Sequence, residues 1–287
     1  MKFRRFLLLT LLVFVPNASA QLSDTERAWN RPVEPFRIAG NIYYVGAADL
    51  SSYLITTPKG HILLDSGMLE TVPQIKANIA KLGFRLRDVK VLINSHAHYD
   101  HAAGLAELKR ATKAKLYISE ADAELLARGG KADVNYGDRF PFEAVTADRT
   151  FADGWELSLG GTTMTANVTP GHTKGCTSWT TTVEDGGKKL NAVFVCSVTA
   201  PGYALVGNEG YPEIASDFEN TFRRMKAMKV DIFLSSHASA FGMAEKLHRR
   251  AADPSANPFI DPKGYAEMLE RTEAAFRKQL EDQQKRK

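Results

Sequence analysis

The chain has 287 residues, and its 37 lysines and arginines stand against 33 aspartates and glutamates, which gives a formal net charge of +4. Three of the basic side chains lie within the first five residues, so the rest of the chain holds 34 basic against 33 acidic residues, a charge of +1. A near-neutral chain offers no basic surface, which excludes nucleic acid as a partner. The length suits one large domain, or two fused halves, with an ample buried core.

The first twenty residues predict a segment that is removed on export. Lys2, Arg4 and Arg5 precede an apolar run over residues 6–15, and Ala-Ser-Ala follows at 18–20. This order is typical of a secretory signal peptide. A membrane anchor is the alternative, but a spanning helix needs about 20 apolar residues and this run has half that. We expect a signal peptide over 1–20, a mature domain over 21–287, a periplasmic location and no membrane contact after cleavage.

Short β-rich runs alternate with helical ones along the mature chain. In the first half, apolar periodicity and Gly/Pro punctuation predict strands at 42–45, 53–56, 61–64, 89–93 and 115–118, and helices at 72–82, 102–110 and 120–128. In the second half they predict strands at 155–159, 162–168, 177–183, 190–195 and 231–234, a turn at 184–187, and helices at 214–228 and 265–284. Two similar halves of this kind favour an α/β fold with two sheets packed face to face and helices outside.

Three of the seven histidines lie in the segment His96-Ala-His98-Tyr-Asp100-His101, directly after the strand predicted at 89–93. In an extended chain, residues i and i+2 point the same way, so His96 and His98 can converge on one metal ion. Asp100 and His101 follow in the turn, where they can face a second ion. Such a cluster would be repulsive if protonated and costly to bury if unpaired. Since zinc accepts imidazole nitrogen and carboxylate oxygen, the segment predicts a catalytic zinc site.

Two further histidines, His172 and His237, each come directly after a predicted strand. Loops at strand ends bring catalytic groups together over a rigid sheet. With the cluster, these two histidines complete six ligands, enough for two metal ions. His61, within a predicted strand, and His248, in a stretch rich in lysine and arginine, are interpreted as non-catalytic.

The pattern His-x-His-x-Asp-His, followed by a Gly-His-Thr segment and a late histidine at a strand end, resembles the metallo-β-lactamase superfamily over the whole mature chain. The superfamily also contains thioesterases, lactonases and nucleases. Three further segments, at 169–179, 196–203 and 236–237, resemble subclass B3 of the metallo-β-lactamases. The resemblance implies an αββα sandwich, in which two mixed β-sheets pack face to face with helices on both outer faces.

The resemblance also assigns roles within the site. It implies two zinc ions, the first held by His96, His98 and His172 and the second by Asp100, His101 and His237. A zinc-bound hydroxide would attack the lactam carbonyl, and Asp100 would orient it and pass a proton, which makes Asp100 the catalytic residue. Ser197 and Thr199 match positions that hold the substrate carboxylate. Asp65, in Leu-Asp-Ser-Gly, matches a position that supports the metal site.

The two cysteines pose a choice between a cross-link and a metal ligand. A shift of one residue would place Cys196 where another subclass has a thiolate ligand. However, Cys176 and Cys196 are equidistant from Gly186, at the centre of the predicted hairpin, so they should face each other with Cβ atoms about 4.5–5.5 Å apart. A disulfide prefers about 3.5–4.5 Å, so some local twist is needed. We expect a disulfide in an oxidising periplasm; two buried thiols or a zinc ligand are the alternatives.

The implied function is hydrolysis of penicillins, cephalosporins and carbapenems, with antibiotic resistance as its consequence and a small β-lactam as the partner of a monomeric enzyme. One alternative is another hydrolase of the superfamily, a thioesterase or a lactonase, against which export and the 196–203 segment argue. Another is a periplasmic zinc-binding or scaffolding protein without catalysis, against which the complete ligand set argues. Residues 129–142 and the segment after Tyr203 are candidates for the walls of the substrate groove.

Overall fold

The computed structural model describes residues 22–286. The signal peptide expected over residues 1–20 lies outside the described residues, as does the last residue of the chain. Within the described range, no helix combines the length and the apolar character needed to cross a membrane.

The first sheet has seven strands that lie side by side in chain order. They are β1 (Phe36–Ala39), β2 (Ile42–Tyr44), β3 (Tyr53–Thr57), β4 (Gly60–Leu64), β5 (Val89–Ile93), β6 (Lys115–Ser119) and β7 (Arg149–Phe151). The strands β1 to β4 form an antiparallel meander, whereas β4 to β7 run parallel. The carboxyl ends of β4, β5 and β6 therefore meet at one edge, where ligand sites of parallel sheets lie.

The second sheet has five strands in the order β12-β11-β10-β9-β8. They are β8 (Glu156–Leu159), β9 (Thr162–Val168), β10 (Thr177–Asp185), β11 (Lys188–Val195) and β12 (Ile232–Ser235). All neighbours are antiparallel except β11 and β12, which run parallel. The segments that follow β11 and β12 consequently leave the sheet together, at the same edge.

Eight α-helices are found between residues 22 and 286. They are α1 (Asp24–Trp29), α2 (Val72–Lys81), α3 (Tyr99–Ala102), α4 (Leu105–Thr112), α5 (Glu120–Ala127), α6 (Ile214–Lys226), α7 (Met243–Ala252) and α8 (Pro262–Gln284). Short 3₁₀ turns lie at Leu69–Thr71, Leu86–Asp88 and Ala238–Phe241.

The core has the layers that the sequence predicts. The inner faces of the two sheets meet through aromatic contacts such as that of Tyr53 in β3 with Phe194 in β11, whose ring centroids lie 4.9 Å apart. The Tyr53 hydroxyl also donates to the carbonyl of Ser235 in β12, at 2.6 Å, which ties the two sheets together near their site edge. One buried cluster joins α2 and α4 to the outer face of the first sheet, and α6 and α8 pack on the second. The predicted αββα sandwich is confirmed.

Most predicted elements are present with shifts of one to three residues at their ends, but the single helix predicted at 102–110 is wrong. The structure has two helices there, and Gly104 separates them. A Cβ atom at Gly104 would lie 2.4 Å from Cγ2 of Val72, and the Gly104 N–H donates to the Ser66 hydroxyl. The backbone is thus held against α2, so the chain turns where a side chain would not fit. Four further elements, α1, α7, β1 and β7, were not predicted from the sequence.

Candidate metal centre

The six predicted ligands converge where the two sheets open at their common edge. The segment 96–101 follows β5, His172 follows β9, and His237 follows β12. The ring centroid of His96 lies 4.8 Å from those of His98 and His172 and 4.4 Å from that of His101. The rings of His101 and His237 lie 4.9 Å apart. Side chains from both halves of the chain therefore form one cluster.

One half of the cluster contains only imidazole nitrogens. The Nδ1 atom of His98 and the Nε2 atom of His172 lie 3.1 Å apart, and the ligand atoms of these two rings and His96 lie within 4.8 Å of one another. The Nε2 atom of His96 is buried and has no hydrogen-bond partner among the described residues. A buried nitrogen in that position is costly unless something coordinates it. Three nitrogens aimed at one point are the donor set of a metal ion.

The other half of the cluster is a triangle of one carboxylate oxygen and two ring nitrogens. The Oδ2 atom of Asp100 lies 3.3 Å from Nε2 of His101 and 3.3 Å from Nε2 of His237, and the two nitrogens lie 3.3 Å apart. A tetrahedral zinc ion with bonds of about 2.0–2.1 Å separates its ligands by roughly 3.3 Å. The three atoms thus fit one face of a zinc coordination sphere.

The electrostatics of the cluster favour metal binding at His96, His172 and Asp100 and oppose it at His237. Burial, reinforced by the neighbouring rings, holds the pKa of His96 well below its usual value and lowers the pKa of His172 to about 3, so both rings are neutral and can bind a metal. Burial opposes ionisation of Asp100, but His101 and His237 outweigh it and hold its pKa well below the usual range. Burial also opposes protonation of His237, yet hydrogen bonds to Asp100 and Asp49 raise its pKa to about 10. A metal at this ring must displace that proton.

Each ring turns its other nitrogen towards an oxygen of the protein. The distances are 3.0 Å from His96 to the Ser95 hydroxyl, 3.4 Å from His98 to Asp133, 3.8 Å from His101 to Asp65, 2.8 Å from His172 to the Thr199 carbonyl and 2.9 Å from His237 to Asp49. The oxygens at hydrogen-bond distance from His96, His172 and His237 orient these rings and raise their basicity, as is usual for metal-binding histidines. The rear nitrogens of His98 and His101 face carboxylates without a hydrogen bond to any of the described residues. Of the three carboxylates that face the rings, only Asp65 was predicted from the sequence. Asp49 and Asp133 are single aspartates in loops, and no motif marks them.

Asp65 lies where the resemblance places it, beside the metal cluster. Its Oδ1 atom accepts hydrogen bonds from the Ser95 N–H at 2.6 Å and the Asn94 amide at 2.9 Å, while Oδ2 faces His101. Burial raises the pKa of Asp65 to about 6. Its φ of 61° is in the left-handed region, which is strained for a residue with a Cβ atom. In this conformation one carboxylate oxygen binds the two residues that follow β5 and the other faces His101.

Asp122, at the start of α5, joins the two loops that carry the first three histidines. Its carboxylate accepts hydrogen bonds from the Ala97 N–H at 3.0 Å, the Thr173 hydroxyl at 2.8 Å and the Gly175 N–H at 2.8 Å. Ala97 lies between two ligands, and Thr173 follows a third. This buried carboxylate therefore sets the distance between the loops, and nothing in the sequence pattern marks it.

Cys176 and Cys196 form a disulfide, with Cα atoms 5.9 Å apart, as expected. The alternatives of two thiols and of a Cys196 zinc ligand do not hold. The predicted pairing of these two cysteines about Gly186 is nevertheless wrong by one residue. In the β10–β11 ladder Asp185 pairs with Lys188, so the hairpin is centred between two glycines rather than on Gly186. The disulfide forms because Cys176 lies just before the first residue of β10, where the ladder no longer dictates the facing residue.

The comparisons with known proteins agree with this geometry. A sequence profile of the metallo-beta-lactamase superfamily matches residues 46–237, which include all six candidate ligands. The chain belongs to the metallo-β-lactamase superfamily.

Solved structures extend the likeness over most of the chain. FEZ-1 from Legionella gormanii is 44% identical, with a TM-score of 0.87, and the match covers 89% of this chain and 98% of FEZ-1. BJP-1, a subclass B3 metallo-β-lactamase of Bradyrhizobium japonicum, is 41% identical, with a TM-score of 0.84 and coverage of 90% and 97%. LRA-12, a class B3 di-zinc enzyme from an Alaskan soil metagenome, is 37% identical, with a TM-score of 0.81 and coverage of 92% and 97%. The resemblance to subclass B3 is confirmed.

Similarity to a curated sequence is more local. A probable metallo-hydrolase of Burkholderia pseudomallei is 32% identical over 109 residues, and the chain spans 36% of the length of that curated relative. The family and the cluster of histidines and aspartates together support a metal centre.

The metallo-β-lactamase site opens into a cleft of about 370 Å³. Ser197 and Thr199 line it, and their hydroxyl oxygens lie 3.2 Å apart. From the candidate wall at 129–142, Tyr136, Arg139 and Phe140 line the cleft. Trp29 of α1 and Tyr99 of α3, which were not predicted as walls, line it as well. Tyr203 lies buried behind His172, with its hydroxyl 3.4 Å from Nδ1.

The two histidines interpreted as non-catalytic lie in other parts of the fold. His61 is in β4, where its ring packs edge-on against Phe84, and His248 is in α7.

Proposed function

We propose that this chain hydrolyses β-lactams at a centre of two zinc ions. The observation that carries the proposal is the triangle of Asp100 Oδ2, His101 Nε2 and His237 Nε2, with sides of 3.3 Å, next to the three imidazoles of His96, His98 and His172. Two donor sets of this kind suit two zinc ions. The relatives named metallo-β-lactamases, at 37–44% identity, support the substrate class.

The protein side of the mechanism follows from these positions. His96, His98 and His172 would hold one ion, and Asp100, His101 and His237 the other. Zinc supplies a nucleophile at neutral pH, by lowering the pKa of water towards about 7, and polarises the carbonyl. Because Asp100 offers Oδ2 to the triangle, its Oδ1 can accept the proton of the attacking water and pass it to the departing lactam nitrogen. No side chain is needed as a nucleophile.

The cleft walls bind and orient the substrate in this proposal. The hydroxyls of Ser197 and Thr199 donate to the carboxylate on the ring fused to the lactam. Trp29, which packs edge-on against the His237 ring at 5.3 Å, forms the wall beside that ligand.

Carbapenem hydrolysis by the purified protein, with metal counting in parallel, tests the proposal. We expect about two zinc ions per chain, loss of hydrolysis with EDTA and its return with added zinc. Thioester and lactone substrates provide the comparison with other hydrolases of the superfamily. Hydrolysis that resists the chelator, or a preference for thioesters or lactones over the carbapenem, would contradict the proposal.

We also propose that the enzyme is exported, cleaved after Ala20 and active as a periplasmic monomer that confers antibiotic resistance. The charged and apolar pattern of residues 1–20 supports export, and the disulfide suits an oxidising compartment. Expression of the full chain in a Gram-negative host should raise β-lactam resistance, with Gln21 as the first residue of the periplasmic protein. An uncleaved product, or a dimer in size-exclusion chromatography, would refute the corresponding part.

A further inference from the structure

Arg139 is the one lysine or arginine among the described side chains that line the metal cleft. It is exposed at the rim, and no carboxylate of residues 22–286 lies within ion-pair distance of its guanidinium. The nearby Glu143 is engaged instead by Arg110, and the Asp138 carboxylate accepts the Ala132 N–H. The positive charge of Arg139 therefore faces the cleft without a protein partner.

A stack of aromatic rings holds Arg139 in place. Its guanidinium carbon lies 4.9 Å from the centre of the Phe140 ring, within the range of a cation–π contact. Phe140 stacks on Tyr99 with ring centroids 4.5 Å apart and planes 9° apart, and the Tyr99 hydroxyl donates to Glu26 of α1. Because Tyr99 lies between two ligands, His98 and Asp100, the stack fixes the charge relative to the metal cluster.

Arg139 also stands at the entrance to a second cavity. This cavity of about 330 Å³ adjoins the cleft, since both are lined by Tyr99, Arg139 and Phe140. Its remaining walls are mainly apolar and include Leu22, Met68, Leu69, Pro141 and Phe142. Of its three glutamates, Glu26 is bonded to Ser23 and Tyr99, Glu143 is paired with Arg110, and Glu70 lies on the 3₁₀ turn before α2.

We propose that Arg139 binds a second carboxylate, one carried by the acylamino side chain of the substrate. A bicyclic β-lactam has its ring carboxylate on one side of the scissile bond and its acylamino group on the other. With the ring carboxylate on Ser197 and Thr199, the acylamino group points to the opposite wall. An aryl group then enters the apolar cavity, and a carboxylate on the carbon next to the amide meets Arg139. This inference rests on the proposed function and makes dianionic β-lactams preferred substrates.

A pair of penicillins that differ only in that carboxylate tests the inference. Benzylpenicillin carries a phenylacetyl side chain, and its α-carboxy derivative carries the same group with the extra anion. We expect Arg139→Gln to lower kcat/KM for the dianion relative to the monoanion by about three- to fivefold, the effect of one partly exposed ion pair. Arg139→Lys should restore most of the ratio, since the charge returns without the planar stack.

Controls separate this role from a structural one. Arg87→Gln removes the same charge from an exposed 3₁₀ turn that lines neither cavity, and should leave the substrate ratio unchanged. Raising the salt from about 0.05 M to about 0.5 M should reduce the dianion preference of the wild type, but not that of Arg139→Gln. An equal loss on both substrates would assign Arg139 to the ring carboxylate or to folding, and no loss on either would leave it without a role. Either result overturns the inference, provided that the wild type hydrolyses benzylpenicillin. If the zinc-loaded wild type hydrolyses neither penicillin, the proposed function itself is wrong.

Discussion

Replacing Asp49 by asparagine should weaken zinc binding at the proposed site of Asp100, His101 and His237 and leave binding at the proposed site of His96, His98 and His172 nearly unchanged. The Oδ2 atom of Asp49 lies 2.9 Å from Nδ1 of His237, and its Oδ1 atom accepts the Ser239 N–H at 2.7 Å. The carboxylate therefore orients a ligand ring and increases its basicity. Loss of such a partner costs tenfold to a hundredfold in metal affinity, about 1.4–2.7 kcal/mol. Asparagine keeps the size and one acceptor oxygen, which can still accept the Ser239 N–H, so the lost acceptor is the one that faces His237.

Competition with a chelator of known affinity, followed by metal counting at each step, measures the two dissociation constants separately. Asp133→Asn is the matched control, because that carboxylate faces His98, 3.4 Å from Nε2, in the other ligand set. We expect the first constant to rise in Asp133→Asn and the second to rise in Asp49→Asn. An equal shift of both constants in either variant, or a second constant unchanged by Asp49→Asn, would refute the assignment of these carboxylates to separate ions.

Two further predictions concern the frame that holds the ligands. Asp122→Asn should lower the free energy of unfolding by about 1–3 kcal/mol, because an amide cannot accept all three hydrogen bonds from Ala97, Thr173 and Gly175. Glu124→Gln, on the same helix, removes only an exposed pair with Arg128 and should change it by less than about 1 kcal/mol in urea titrations; equal effects would count against the role of Asp122. Replacing both cysteines by serine should lower the free energy of unfolding by about 3 kcal/mol, since the disulfide closes a loop with a sequence separation of 20. The reduced wild type should melt at the same temperature as the serine variant. If the serine variant melted at the same temperature as the oxidised wild type, the disulfide would contribute little to stability.

The ligand set could be predicted because its signal is local. Three histidines and an aspartate within six residues after an apolar strand are improbable unless a metal balances them. The carboxylates behind the ligands could not be predicted in the same way. Asp49 lies 188 residues from His237 in the chain, and an aspartate in a loop has many structural uses. Only the packing of the two sheets brings such pairs together.

Strand register was also harder to predict from the sequence than the strands themselves. The hairpin at residues 184–187 was predicted, but its centre was misplaced by half a residue, and the facing pairs moved by one position with it. In a ladder that step would turn a side chain to the other face of the sheet. The helix predicted across Gly104 failed for a related reason, because the contact of that glycine with Val72 is a tertiary one. Periodicity reports which segments are helix or strand, while registers and breaks depend on partners far along the chain.

Each candidate ion site combines ligands from both halves of the chain. The first set takes His96 and His98 from the loop after β5 and His172 from the loop after β9, so it spans the two sheets. The second set joins the segment at 100–101 to His237, after β12, in the same way. The Tyr53–Ser235 hydrogen bond already holds the sheets together at this edge, so the site needs no large movement to form. A metal that binds this preformed edge, and not the unfolded chain, must also stabilise the packing of one half on the other.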